Sequence, residues 1–101
     1  MKLFEALDLI ESLDGQDVIF AVEPWTFQSE ATIGRLDNEY RVPKKITDLG
    51  YSYFMDVFVA LEVLQGFDHS TLDVQQRREV LLHYAKFDAF PEWANELNRD
   101  L

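Results

Sequence analysis

The chain has 101 residues and carries 19 acidic residues against 9 basic ones, which gives a formal net charge of −10 at pH 7. Hydrophobic residues make up 48% and aromatic residues 14% of the sequence, which is too apolar for a disordered acidic tail and enough for the core of one domain, residues 1–101. Cysteine is absent, which excludes disulfide scaffolds, thiolate metal sites and cysteine nucleophiles.

Neither the N-terminal residues nor the longest apolar stretch indicates export or membrane insertion. The N-terminus carries acidic residues from Glu5 onwards and lacks the basic and then apolar pattern of a signal peptide. The longest apolar stretch, residues 54–64, is interrupted by Asp56 and Glu62 and is shorter than the roughly 20 residues of a membrane-spanning helix. We therefore expect a cytoplasmic protein with no membrane partner.

The first half of the chain predicts a helix followed by a small sheet. Apolar residues at helical spacing predict an amphipathic helix over residues 2–13. Residues 17–23 are rich in β-branched and aromatic side chains and predict a strand, and residues 31–36 predict a second one. A turn signal then precedes residues 40–42, a candidate third strand. The expected sheet is antiparallel and has two or three strands.

The second half predicts helices. Apolar residues surround a predicted helix over residues 51–65 on almost every side, so we expect it to be the core helix. If the side that carries Phe58 faces the core, Phe58→Ala is expected to cost about 3–5 kcal/mol. A capping-box pattern that starts at Ser70 predicts a further helix through residue 87, and Pro91 favours the start of a short C-terminal helix. The predicted fold class is α+β, with the helices packed on one face of the sheet.

Acidic residues recur at every third position of the N-terminal segment. Three residues on a helix advance by about 300°, so successive carboxylates step round the helix as a ribbon and do not converge on one ion. The sequence also lacks the glycine and final glutamate of a calcium-binding loop. We therefore predict no metal site and no cofactor, and we interpret the ribbon as a solvated face or a partner-binding face. Its members are Glu5, Asp8, Glu11, Asp14 and Asp17.

Several residues invite a catalytic interpretation that their spacing does not support. Asp68, His69 and Ser70 are the residue types of a hydrolase triad, but three consecutive residues cannot form one proton relay, and helix capping explains Asp68 and Ser70 better. His83 has no second histidine at ligand spacing. The glycines are scattered singly, so there is no phosphate-binding loop. We predict that the protein is not an enzyme.

Asp56 and Glu62 interrupt the most apolar predicted helix. A buried carboxylate without a donor is costly, so each must reach solvent or find a donor, and Arg77 and Arg78 on the following helix are the obvious candidates. The alternative is a functional carboxylate with a raised pKa in a small enzyme.

Aromatic residues in the loop after the first predicted strand have two interpretations. Trp25 and Phe27 either close the core or act as anchors for a partner. The basic residues Arg41, Lys44 and Lys45 are interpreted as a solvated loop, because nucleic-acid binding needs a continuous positive surface.

The N-terminal acidic surface and this aromatic loop are together the predicted partner-binding site, because residues 1–40 hold nine acidic residues against Lys2 and Arg35. The predicted site residues are Glu5, Asp8, Glu11, Glu23, Trp25, Phe27 and Glu30.

A protein this acidic repels nucleic acid and attracts basic proteins. About a hundred residues, strong acidity, no cysteine, an α+β pattern and no catalytic motif make a profile that resembles the immunity proteins of bacterial toxin–immunity systems. The resemblance implies a module that binds and neutralises a cognate basic toxin, for example a nuclease. Immunity proteins share no common motif, so the resemblance assigns no residue. The alternatives are a nucleic-acid mimic, with the ribbon from Glu5 to Asp17 as its phosphate-like ridge, and a small enzyme that uses Asp56, Glu62 or His83.

Overall fold

The computed structural model describes residues 1–67 and 72–94. Residues 92–94 are helical, and the rest of the predicted C-terminal helix lies outside the described residues. A helix followed by an antiparallel sheet and then by further helices confirms the predicted α+β fold class. The elements in chain order are α1 (Leu3–Asp8), a 3-10 helix (Ile10–Ser12), β1 (Val18–Ala21), β2 (Ala31–Gly34), α2 (Lys44–Asp48), β3 (Ser52–Asp56), α3 (Val57–Gln65) and α4 (Val74–Phe87).

The sheet has the strand order β2-β1-β3, and β1 is antiparallel to both neighbours. All the side chains of β1 are buried. Because successive side chains of a strand point to opposite faces, the sheet is covered on both sides at β1. Ile19 and Ala21 lie on the front face, which packs against the helices, whereas Val18 and Phe20 lie on the opposite, rear face.

The main core lies on the front face. It joins α1, the 3-10 helix, α3 and α4 to the sheet, as expected for helices packed on one side of it. Its fully buried members come from every one of these elements, so the front layer depends on contacts between residues far apart in the chain. They include Leu3, Ala6, Ile10, Ile19, Ala21, Val57, Ala60 and Val80.

A β-bulge in β3 decides which aromatic side chain lies on which face. Ile19 is opposite Met55 and Phe20 is opposite Tyr53, so Phe54 is the extra residue. Phe54 and Met55 both belong to the front core. Tyr53 packs edge-on against Phe20, with ring centroids 6.5 Å apart. The bulge therefore supplies a rear-face tyrosine without removing Phe54 from the core.

The prediction of one core helix over residues 51–65 is wrong. Its first part is the edge strand β3, and α3 begins only at Val57. Asp56 is the N-cap of α3, where its Oδ1 accepts a hydrogen bond of 2.7 Å from the Val59 amide. The strand passes into the helix without a loop, so in the sequence the apolar residues of β3 look like a continuation of the apolar helix. Phe58 points outward and is 60% exposed, so its side of the helix does not face the core.

Other boundaries also differ from the predictions. Residues 40–42 do not form a strand, because Tyr40 adopts a left-handed turn conformation with φ of 62°. The basic segment predicted as a loop contains the short helix α2. The N-cap of α4 is Asp73, which exchanges capping hydrogen bonds with Gln76. The predicted cap, Ser70, lies outside the described residues.

Candidate protein-binding surface

The predicted acidic ribbon is joined to α4 by ion pairs. Asp8 and Arg78 form a two-pronged pair, with Nε to Oδ1 at 2.8 Å and Nη2 to Oδ2 at 2.5 Å. The hydrogen bond from Arg78 is the main cause that lowers the pKa of Asp8. Glu11 forms a second ion pair with Arg77. These two carboxylates therefore fasten the N-terminal segment to α4.

We expect Asp8→Asn to lower the free energy of unfolding at pH 7, because the variant loses the negative charge that pairs with Arg78. The folded state lowers the pKa of Asp8 below its ordinary value of 3.8. Its stabilisation is therefore complete above that value and disappears as pH falls through the lower, folded-state pKa. Urea unfolding measured from pH 7 down to pH 3 tests this. The exposed Glu62→Gln variant is the control, and an Asp8→Asn deficit that is as large at pH 3 as at pH 7 would contradict the prediction.

The remaining predicted acids lie elsewhere on the surface. Glu5 accepts a hydrogen bond of 2.8 Å from the Lys2 amide, and Glu30 pairs with Lys2 Nζ at 2.6 Å. The hydrogen bond from Lys2 lowers the pKa of the Glu30 carboxyl. Glu23 is exposed and has no ion pair within the described residues. Of the predicted carboxylates, only Glu23 therefore lacks a polar contact to another described residue.

Trp25 and Phe27 are half-buried and pack against the front core. Trp25 Nε1 donates to the Ala21 carbonyl oxygen at 3.3 Å, and its ring meets Phe54 edge-on with centroids 4.9 Å apart. The carbonyl oxygen of Phe27 accepts a hydrogen bond from the Phe4 amide. The structure therefore favours the closing role for Trp25 and leaves part of its ring accessible.

Asp56 and Glu62 do not pair with the arginines that were predicted for them. Arg77 and Arg78 are taken by Glu11 and Asp8, so that prediction is wrong. Asp56 is stabilised locally, because its second oxygen, Oδ2, accepts a hydrogen bond of 2.8 Å from the Tyr53 hydroxyl. Burial and this contact raise the pKa of Tyr53 to about 12. Glu62 is exposed on α3 and reaches solvent directly.

A groove on the rear face combines exposed aromatic rings with carboxylates. It has a volume of about 480 Å³, which falls within the size range of protein ligand sites. Tyr40 is 86% exposed and Phe58 is 60% exposed, so both rings are accessible from solvent. We call this the rear groove and define it by Val18, Arg35, Asp37, Tyr40, Asp56 and Phe58.

Backbone contacts fix both aromatic residues of the rear groove. The Phe58 amide donates to the Gly15 carbonyl oxygen at 3.2 Å, so the first turn of α3 is tied to the loop before β1. Tyr40 lies in a turn organised by Asp37, whose Oδ1 accepts hydrogen bonds from the Glu39 and Arg41 amides at 2.8 and 3.0 Å. These hydrogen bonds lower the pKa of Asp37, and its carboxylate stays charged at neutral pH.

Arg35 is the one basic residue among those that line the rear groove. Its Nε lies 3.2 Å from Asp17 Oδ1, and its Nη2 lies 3.7 Å from Asp14 Oδ1. Its charge is therefore matched by carboxylates of the loop before β1. Asp37 and Asp56 have no ion pair within the described residues, so the rear groove keeps negative charge of its own.

Sequence reasoning did not identify Tyr40 or Phe58 as surface anchors. The sequence pattern indicates a strand at residues 40–42, although Tyr40 follows a turn signal and stands between Glu39 and Arg41, which is a polar setting for a large ring. A helix that begins at residue 51 is apolar on almost every side, so this pattern does not identify Phe58 as an exposed residue. Taking Asp56 as an N-cap would have corrected the helical frame, and it is the one local signal available.

Nothing in residues 1–67 and 72–94 gathers three or more acidic or histidine side chains as a metal ion would require. Across the same residues, no helix has the length and apolar character needed to cross a bilayer. Comparison of the chain with protein-family models, curated proteins and solved structures gave no match. The resemblance to immunity proteins therefore stays a prediction, and the functional argument depends on the geometry of the surface.

Proposed function

We propose that this protein is an acidic binding module that neutralises a basic protein partner, in the manner of an immunity protein that blocks its toxin. The observation that carries the proposal is the rear groove, where two exposed aromatic rings lie beside carboxylates. Aromatic residues with accessible rings are the typical energetic centres of protein interfaces. We place the centre of the interface at Tyr40 and Phe58.

The rear groove is suited to binding because it is already formed. The hydrogen-bonded turn of Asp37 holds Tyr40, and the first turn of α3 holds Phe58, so little conformational freedom is lost when a partner docks. Val18, which lines the groove, is buried in the sheet, and Phe20 is buried on the same face of β1, which gives the site a rigid base.

The charge of the whole chain favours a basic partner. Internal ion pairs do not change a net charge of −10, so the field at a distance remains negative. Such a field speeds the approach of a positively charged protein and slows that of an acidic one. We therefore expect the negative charge to raise the association rate, and the aromatic pair at the rear groove to lower the dissociation rate of the complex.

The nucleic-acid-mimic alternative has less support. It needs a row of free carboxylates along the ribbon, yet Asp8 and Glu11 are paired with arginines of α4, and Asp14 and Asp17 share Arg35. The enzyme alternative is supported by one observation, since Asp56 lines a groove of ligand-site size. However, Asp56 already serves as the helix cap of α3, and His83 does not line the groove and has its Nδ1 2.8 Å from the Ala89 carbonyl oxygen.

Photocrosslinking followed by a matched pair of variants tests the proposal. A photoreactive phenylalanine analogue replaces Tyr40 in producing cells and captures the partner, which is then purified. We expect Phe58→Ala to weaken binding of that partner by about tenfold or more, as for a central interface aromatic. Phe87 is the matched control, because it is 62% exposed on α4 and does not line the rear groove.

The functional measurement is protection of cells from the captured partner. Wild-type protein and Phe87→Ala are expected to protect, whereas Phe58→Ala is expected to protect less. Equal binding by the two variants, or a captured partner that is acidic and harmless to cells, would contradict the proposal.

A further inference from the structure

We infer that the rear groove receives an arginine side chain of the partner, with its guanidinium group between the rings of Tyr40 and Phe58 and next to the carboxylate of Asp56. This inference rests on the proposed function, because it names the chemical group by which the partner is recognised. Its support comes from the rings, from the carboxylates and from the position of Arg35.

The rings of Tyr40 and Phe58 supply the faces that a cation needs. Both are accessible from solvent and line the same groove, and each belongs to a segment fixed by backbone hydrogen bonds. The face of an aromatic ring carries negative charge and attracts a cation placed over it. The structure already contains two contacts of this kind. The guanidinium carbon of Arg78 lies 5.1 Å from the centre of the Phe4 ring, and Lys86 Nζ lies 5.8 Å from the centre of the Phe87 ring.

The carboxylates supply hydrogen-bond acceptors next to those rings. In Asp56, Oδ1 accepts from the Val59 amide and Oδ2 from the Tyr53 hydroxyl. A carboxylate has about four acceptor positions, so two remain for a ligand. Asp37 uses its Oδ1 for backbone amides, and its Oδ2 has no hydrogen bond within the described residues. Two charged acceptors therefore line the rear groove with unused capacity.

Arg35 does not supply the missing cation. Its guanidinium group is directed to the loop before β1, where Nε contacts Asp17 and Nη1 lies 3.3 Å from Gln16 Oε1. The positive charge of Arg35 is therefore balanced by carboxylates of that loop and not by Asp37 or Asp56. An incoming cation meets two carboxylates that form no ion pair within the described part of the chain, although the charge of Arg41 acts on Asp37 from a greater distance.

A guanidinium group fits these features better than an ammonium group. It is planar and can stack on a ring, and its donors can at the same time reach a carboxylate side by side. An ammonium group is compact and strongly hydrated, so it makes less use of two ring faces. A neutral side chain of the same shape lacks the attraction to both the rings and the carboxylates.

The experiment is an NMR titration of the whole chain with two small probes. One is the acetylated methylamide of arginine, and the other is that of citrulline, which has nearly the same shape without the charge. We expect arginine to shift the amide resonances around Gly15, Tyr40 and Phe58, and citrulline to bind about fivefold more weakly or worse. The corresponding lysine probe is expected to be weaker than arginine.

Two variants locate the effect. Tyr40→Leu keeps an apolar side chain without a ring, and Asp56→Asn keeps a good helix cap without the charge. Both are expected to reduce arginine binding, whereas Asp73→Asn, which alters the cap of α4 in the same way, is expected to leave it unchanged.

Equal binding of arginine and citrulline, equal binding of arginine and lysine, or shifts confined to residues outside the rear groove would overturn the inference. The titration contains no partner protein. A failure here would therefore leave the crosslinking result on the protein-binding proposal intact.

Discussion

Replacing Phe20 by alanine is expected to lower the free energy of unfolding by about 3–5 kcal/mol, the usual cost of removing a fully buried phenylalanine. Phe20 has no exposed surface and packs against Tyr53 on the rear face. A methyl group placed at Gly34 would lie 3.4 Å from the Phe20 ring, so the neighbouring strand also fits closely around it. The alanine variant leaves a cavity on the rear face of the sheet, and the strands around it are held in register by hydrogen bonds, so they cannot close over it.

Urea unfolding of Phe20→Ala and Phe58→Ala compares the stability cost of removing a buried ring with that of removing an exposed one. The two variants remove the same ring, but Phe58 is largely exposed, so its loss is expected to change stability by no more than about 0.5 kcal/mol. Similar costs for the two substitutions would mean that the rear face contains no core of its own and that the base of the rear groove is not rigid.

Helical spacing predicts the N-terminal helix and the end of α4 at Phe87, and β-branched and aromatic residues predict β1 and β2. The end of α4 agrees with the prediction, whereas the N-terminal helix and both strands are shorter than predicted. The pattern fails over residues 51–65, where an apolar strand passes directly into an apolar helix and no turn residue separates them. Its one polar residue at the junction, Asp56, looks like an interruption until its capping hydrogen bond is known.

The sequence predicts the net charge of the protein but not which carboxylates remain unpaired on its surface. The sequence shows an acidic N-terminal half, yet Asp8 pairs with an arginine 70 positions away. That pairing exists only because α1 and α4 pack together in the front core. Charge counts along a chain therefore overestimate how many carboxylates are available to a partner. The rear groove could not be predicted for a related reason, since Tyr40 and Phe58 are brought together only by tertiary structure.

Tyr40→Gly is expected to abolish most partner binding without reducing stability. Tyr40 has φ of 62°, a conformation that costs a non-glycine residue about 1–2 kcal/mol and costs glycine almost nothing. Glycine also makes the unfolded chain more flexible, which offsets part of the stability gained by removing the backbone strain. The free energy of unfolding should therefore be unchanged or rise by up to about 1 kcal/mol. Binding of the crosslinked partner should weaken by about 2 kcal/mol or more, roughly 30-fold.

Tyr40→Ala separates the backbone from the ring. It removes the same aromatic group but keeps a side chain in the left-handed conformation, so it should bind as weakly as Tyr40→Gly and be less stable than it. A strained backbone that holds an exposed ring is hard to explain by stability, because the ring buries little surface in return. If Tyr40→Gly instead unfolds more easily and binds normally, the ring stabilises the turn of Asp37. The interface would then have to lie on another surface, and the exposed Glu23 next to Trp25 would be the first to examine.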